Sequence, residues 1–358
     1  MRYLKCLILV FVLFLTRDII AQDSTKTEKP FKIVPLITSS PLMGFGFGAA
    51  ISYLYATDNG TSSKSQLQIG GQYSNTDSYS IFLKNNAWFK DNRILSATII
   101  TYSGINNEFI SEGKDVAYNV NTLFVSEQLM FRVAESIYLG GPLKYKNIKY
   151  KANNDEGEDF LYENGFQDEN SLGVGISSSY DTRKNKYYPM DAAFVSLNLN
   201  VNPSWLGAID NYSSLILDAR YYANGFTKND VWAWQFYGQY SSEKTPDSGL
   251  PTLSGKSLLR GFPAGQFKAK YMTGAQSEYR YTLGESRFRI TGFYGLANLS
   301  GGSYGIDDRS RDDDGWYSAG GVGLRYKLQQ ITGVDLRLDF VRTSIGENAV
   351  YLMLNQAF

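Results

Sequence analysis

The sequence predicts an all-β protein, a transmembrane antiparallel β-barrel of sixteen strands. Three observations lead there. Polar and apolar residues alternate with period two along most of the chain, and no apolar run after residue 22 approaches the roughly 18 residues a membrane helix needs. The apolar parity is heavy in Tyr, Phe and Trp, and aromatics make up 15% of the 358 residues. A soluble sandwich would fill that face with Leu, Ile and Val, whereas a lipid-facing band between aromatic girdles uses aromatic rings. The mean hydropathy of −0.28 agrees with this, because the lumen face of such a barrel is polar.

The first element is a leader. Two positive charges in Met1 to Lys5 precede the apolar run Cys6 to Leu15 and the small residue Ala21, the pattern of a cleaved signal peptide over 1–21. Its only cysteine, Cys6, does not stand in a lipoprotein acylation context. Residues 22–30 then form a short periplasmic segment, and 31–358 make the barrel. Sixteen strand-like segments follow: 31–39, 43–57, 64–75, 78–90, 93–106, 117–133, 136–152, 170–182, 189–204, 211–226, 230–243, 270–283, 286–298, 316–328, 332–344 and 347–358. In the second, Phe45, Phe47, Ala49, Ile51, Tyr53 and Tyr55 face one way, and small residues such as Gly46 and Gly48 face the other. In the eleventh, Trp232, Trp234, Phe236 and Tyr240 share one parity and suit an outward face. In the fifteenth, Val334, Leu336, Leu338 and Phe340 alternate with the lumen candidates Asp335, Arg337 and Asp339.

Connections sort into two sets. Junctions at Asp58-Asn59-Gly60, Asp91-Asn92, Ala134-Glu135, Lys228-Asn229-Asp230 and Gly284-Glu285 are short, and the alternate set includes the long ones at 107–116, 153–169, 244–269 and 299–315. Short turns belong to the periplasm and long loops to the outside, which puts both termini in the periplasm. The acid-rich loops, with Asp155, Glu156, Glu158 and Asp159 in one and Asp307, Asp308 and Asp312 to Asp314 in the other, have the oxygen ligands for a divalent cation but no Ca-loop spacing, which favours the reading as solvated surface and leaves cation binding as the alternative. Phe358, closing the amphipathic series Val350, Leu352, Leu354, Phe358, resembles the C-terminal aromatic signal of bacterial outer-membrane barrels.

Composition narrows the chemistry. With His 0 and Cys 1 there is no Ser-His-Asp or Cys-His catalysis, no His-ligated zinc and no disulfide. The expectation is a protein that is not an enzyme and needs no cofactor or metal. Lys+Arg and Asp+Glu are both 35, so no positive excess points to nucleic acid.

One pair of segments narrows the family. Leu259-Arg260-Gly261-Phe262 stands in the loop before the strand that is fifth from the end, and that strand contains Ser277-Glu278-Tyr279-Arg280. This pairing resembles the barrel of the BamA/TamA surface-antigen superfamily, whose hallmark is a Val/Leu-Arg-Gly-Phe/Tyr sequence at that place. Tyr180-Asp181-Thr182-Arg183, with Pro189 beyond it, is similar to the family's Asp-Thr-Arg periplasmic turn, and Gly44 to Gly48 resembles its first strands. The resemblance covers 31–358 and implies that the extracellular loop folds back into the barrel. Arg260 then needs an anionic partner, for which Glu278 on the inward parity is the candidate. Gly261 would allow close approach to the wall, and Phe262 would fill an inner pocket. Two departures stand out. The family's Phe-x-Asp-x-Gly motif is represented by Phe293-Tyr294-Gly295-Leu296-Ala297, without its aspartate, which leaves Arg260 to Glu278 alone. The periplasmic POTRA domains are also missing, as in the short branch of the superfamily.

The resemblance implies an outer-membrane barrel, exported by its signal peptide, that acts in assembly of outer-membrane proteins, translocation or lipid handling as a subunit of a larger complex. Its partners would be outer-membrane lipids, lipopolysaccharide included, and other outer-membrane or assembly proteins. The alternative is a passive pore whose selectivity is set by lumen charges such as Asp218, Arg220 and Asp335. Pro35, which lacks an N–H, would weaken the seam between first and last strands.

Overall fold

The computed structural model describes residues 31–40, 44–111, 113–254, 258–262, 267–305, 314–328, 335–354 and 356–358. The predicted leader, the segment 22–30 and Asp307, Asp308, Asp312 and Asp313 lie outside these residues. Period-two alternation becomes sixteen strands. The first eight are β1 (Phe31–Ser40), β2 (Gly44–Tyr55), β3 (Ser65–Ser74), β4 (Tyr79–Phe89), β5 (Ile94–Ser111), β6 (Lys114–Ala134), β7 (Ile137–Ala152) and β8 (Glu169–Asp181). The second eight are β9 (Ala192–Asn202), β10 (Tyr212–Asn224), β11 (Val231–Ser241), β12 (Phe267–Thr282), β13 (Phe288–Gly305), β14 (Gly315–Lys327), β15 (Asp335–Thr343) and β16 (Asn348–Leu354). Each pairs antiparallel with its neighbours in sequence, and β1 pairs with β16, so the sheet closes into a barrel.

Alternation sorts the two faces on strands such as β11, whereas on β15 Leu336 and Leu338 are buried as well as Asp335 and Asp339. On β11, Trp232, Phe236 and Tyr240 are exposed while Val231, Ala233, Gln235 and Ser241 are buried. Ile176, 70% exposed, and Ile81, 57% exposed, show the outer band that water would not tolerate as a contiguous surface but lipid does.

Three features differ from expectation. Residues 107–111, 114–116 and 299–305 are strand rather than loop: β5 and β6 run for 18 and 21 residues and β13 for 18, well past the about 9–11 residues that cross a bilayer. The β5–β6 hairpin continues the ladder beyond the hydrocarbon, with cross-strand pairing as far as Ser111↔Lys114, and the extension of β13 pairs with β12 as far as Phe267↔Gly305. The acidic loop after β7 holds a helix, α1 (Asp155–Glu163). Asn154 caps it by accepting the Gly157 N–H at 2.8 Å, and Asp155, Glu156 and Glu158 sit in the first turn, where the helix dipole favours anions. Phe160 and Leu161 bury against Val116 and Tyr118 of β6, which leaves the acids on the open side. Finally, β16 ends at Leu354, and the residues after it turn inward. Gln356 Nε2 donates to Asp335 Oδ2 at 2.5 Å, and Phe358 packs with Tyr188, Tyr222 and Val231 inside the wall rather than on the outer face. Once the ladder stops, parity no longer dictates direction, and an apolar ring is sheltered better among rings than at a barrel rim.

The seam is short. β1 and β16 share three register pairs, Ile37↔Leu352 to Ser39↔Val350, against ten between β1 and β2 and seven between β15 and β16, among the described residues. Pairing with β16 begins two residues after Pro35.

Candidate functional site

A buried apolar cluster lies inside the barrel, where the loop between β11 and β12 descends against β12 to β15. Leu253, Leu258, Leu259 and Phe262 of that loop are 2% exposed or less. Phe262 meets Phe267 and Tyr317 edge-on, with ring centroids 5.3 and 5.9 Å apart. Gly261 has φ +98°, and a Cβ there would lie 2.6 Å from Thr343 Cγ2 and 3.0 Å from Val341 Cγ1. Only glycine meets both demands, the left-handed backbone and the contact with the wall. Its N–H donates to Tyr351 Oη at 3.2 Å.

This turn delivers Arg260 to a buried ion cluster. Its Nη1 lies 2.8 Å from Glu278 Oε2 and 3.0 Å from Asp339 Oδ2, and its guanidinium stacks 3.4 Å from the centroid of Phe293. Glu278 also receives Arg280 Nε at 2.8 Å and Arg325 Nη2 at 3.4 Å, and Arg325 Nη1 reaches Asp339 Oδ1 at 2.5 Å. Arg260, Gly261, Phe262, Glu278 and Phe293 are therefore brought together. The expectation that Arg260 relies on Glu278 alone is corrected by Asp339 on β15, which supplies the second carboxylate. Where the family motif carries its aspartate, Gly295 lies against the loop: a Cβ there would be 2.5 Å from Leu259 Cδ2. The sequence signal for Asp339 was its inward parity, although nothing in it specified which guanidinium it would meet.

A second tether holds the outer part of the same loop. Ser248, in the short turn Asp247–Gly249, donates to Glu169 Oε2 at 2.6 Å and accepts from Lys146 Nζ at 2.9 Å. Lys146 also pairs with Glu169 at 2.9 Å, and Tyr212 donates to Glu169 Oε1 at 3.0 Å. The loop thus spans the lumen from β7 and β8 to β12 and β15.

At the other end, Asp181 accepts from Arg183 Nε at 2.9 Å, from Arg183 Nη2 at 3.0 Å and from Lys186 Nζ at 2.8 Å. Arg183 lies 4.1 Å over the Phe194 ring and Lys186 5.0 Å over Trp88. Burial pulls the Lys186 ammonium below its ordinary pKa, against the opposing pull of Asp181. The segment 182–191 crosses the mouth: Tyr187 donates to the Lys64 carbonyl at 3.4 Å, Tyr188 donates to the Asn229 carbonyl at 3.2 Å, and Arg289 sits 3.8 Å over the Tyr188 ring. Between this floor and the wall is a cavity of about 390 Å³, lined by Gln66, Asn86, Gln128, Arg220 and Phe358 among others. Among the described residues no group of carboxylates is arranged to hold a metal ion.

A sixteen-stranded closed barrel with an arginine-tipped loop inside it defines a class of plugged membrane barrel. The chain belongs to the Omp85 superfamily, whose domain model matches residues 58–332. It is similar in fold to BamA from Haemophilus ducreyi lacking POTRA domains 1–3, with 15% identity and a TM-score of 0.57 over 92% of this chain and 71% of that one. It is also similar to CdiB from Acinetobacter baumannii (13% identity, TM-score 0.65) and from Escherichia coli (12%, 0.64), again over 92% of this chain. The match spans 60% and 63% of those two chains. No curated protein matches the sequence.

Proposed function

We propose that this protein is a non-enzymatic barrel of the bacterial outer membrane that acts in assembly of outer-membrane proteins, translocation or lipid handling, in company with other outer-membrane proteins and in contact with lipopolysaccharide. The observation that carries the reading is a lumen occupied from both ends. The loop bound through Arg260 fills its upper part and the segment 182–191 with Phe358 underlies it, an arrangement that suits a gated machine better than a diffusion pore. The short β1–β16 pairing adds a place where the wall can part and an incoming strand can pair with an exposed edge.

Extraction of the tagged full chain from native membranes in mild detergent tests this. Co-purification of other outer-membrane proteins in fixed ratio is expected. Recovery of the chain alone, together with a large steady current through it in planar bilayers, would instead identify a passive pore.

A further inference from the structure

A carboxylate stands on the side of the wall that faces lipid. On β6, Leu129, Phe131 and Val133 are exposed, while Met130 packs inside with Trp88 and Tyr138 and Gln128 lines the cavity. The odd-numbered residues of β6 therefore point outward, and in order from the periplasmic turn they are Val133, Phe131, Leu129, Glu127, Val125 and Leu123. That stretch matches the about 9–11 residues that cross the hydrocarbon, and Glu127 falls near its middle. Cross-strand register sets it at the end of a polar row. Asn85 of β4 is opposite Thr98 of β5, and Thr98 is opposite Glu127, whose other neighbour is Leu143 of β7.

A charge at this depth is costly, and an apolar side chain would suit an isolated wall better. Ser96 Oγ donates to Glu127 Oε1 at 2.6 Å and Thr98 Oγ1 donates to Oε2 at 2.5 Å. Beside them Asn85 Oδ1 accepts from Tyr55 Oη at 2.7 Å. The hydroxyls fix the carboxylate's orientation but bring no positive charge, and among the described residues no Lys or Arg forms an ion pair with it. Each oxygen accepts one hydroxyl and keeps a lone pair, so the outward edge of the carboxylate is open to a guanidinium fork or an ammonium. Lipid tails carry no donor. A second copy docked two-fold through the same face would set Glu127 against Glu127.

We propose that the outer face of β4 to β6 is an interaction surface within the membrane, where Glu127 receives an arginine or lysine from the lipid-embedded surface of a second outer-membrane protein. Val125, Leu129 and Leu143 around the carboxylate form the apolar contact, and Asn85 adds a polar one in the same row. The inference rests on the reading of a barrel that works in company with other outer-membrane proteins, and deepens it by naming the face and the chemistry that hold one of them.

The test uses the full chain in native membranes, with a photo-crosslinking side chain in place of Leu143, beside Glu127, or of the exposed Val322 on β14, far around the barrel. An adduct with another protein is expected from position 143 and none from 322, and the crosslinked peptide should carry Arg or Lys in a membrane-spanning stretch. Glu127→Gln, which keeps the shape and a hydrogen bond to each hydroxyl, should lower adduct yield and co-purification at least about tenfold. Glu127→Lys paired with a glutamate in place of the partner's basic residue should restore both. Glu127→Leu should lose the partner yet raise the unfolding midpoint of the purified barrel in lipid bilayers. A lowered midpoint there would make the carboxylate part of the wall's own bracing and overturn the proposal. Partners retained undiminished by Glu127→Gln would overturn the surface and leave the wider reading standing, whereas recovery of the wild-type chain alone would overturn both. An adduct between two copies of this chain would overturn the assignment to a second protein.

Discussion

Arg260→Ala removes the central contact of the plug. It deletes the pairs with Glu278 at 2.8 Å and Asp339 at 3.0 Å, and the stack on Phe293. Removing one partner of a buried pair costs about 3–5 kcal/mol, mostly through the charge left behind. Here Glu278 keeps Arg280 and Arg325, and Asp339 keeps Arg325, so the lower end of that range applies. Loss of a desolvated cation–π contact adds roughly 1 kcal/mol or more. A total near 4 kcal/mol, at about 1.4 kcal/mol per tenfold, shifts the ratio of released to docked loop by between two and three powers of ten. Single-channel recording in planar bilayers reads this as open fraction, expected to be small in the wild type and at least about 100-fold larger in the variant. Arg260→Lys should fall between, because an ammonium keeps the charge but cannot stack flat on the Phe293 ring as the guanidinium does. An unchanged open fraction in Arg260→Ala, with the loop 242–266 as resistant to protease as before, would refute the account of Arg260 as the lock.

Further outcomes follow from the same geometry. Gly295→Asp, which restores the family's aspartate, should lower the heat-unfolding midpoint, because its Cβ would press on Leu259 and on Gln276 Cβ at 2.8 Å and overpacking costs about 1–3 kcal/mol. Phe160→Ala should free α1 from β6 at a local cost of about 3 kcal/mol, seen as protease cleavage within 153–168 with the barrel's own midpoint unchanged. For Asp230, desolvation alone would raise the pKa, but the N–H groups of Thr282 and Thr227 and the hydroxyls of Thr227 and Tyr279 outweigh it and hold the carboxyl low. A depressed folded pKa means that its stabilisation is complete above the unfolded value of about 3.9 and is lost as pH falls through the folded value. The difference in unfolding midpoint between wild type and Asp230→Asn should therefore stay constant near neutrality and close below about pH 4.

Much of this architecture could be read before any coordinates. Side-chain parity is a local property, so Trp232, Phe236 and Gln235 announce their faces within five residues. The same rule put Glu278 and Asp339 in the lumen. What parity cannot encode is which lumen residues meet, because Arg260 reaches Asp339 across 79 positions through the curvature of the wall. The helix α1 was hidden by its own acids, which suggested solvent, although Asn154 followed by Asp155 and Glu156 is a capping signal. Phe358 was misdirected for a different reason: the alternation from Val350 continues on paper after the ladder has ended at Leu354. The strand extensions 107–111 and 299–305 were read as loops because Asn107 and Glu108 in the one and Ser300, Gly301 and Gly302 in the other interrupt the apolar alternation.

The two tethers of the arginine loop, Ser248 at β7 and β8 and Arg260 at β12 and β15, sit on walls that are distant along the chain. A cylinder sealed before the loop settles would have to admit a charged tip from the open end, past Leu258 and Phe262 already seeking the same space. A sheet still unrolled lets the loop lie flat on its concave side while the wall wraps around it. The three-rung junction of β1 with β16 is then the last stitch in biogenesis, and molecules that close too early should accumulate as hollow shells with the loop stranded outside.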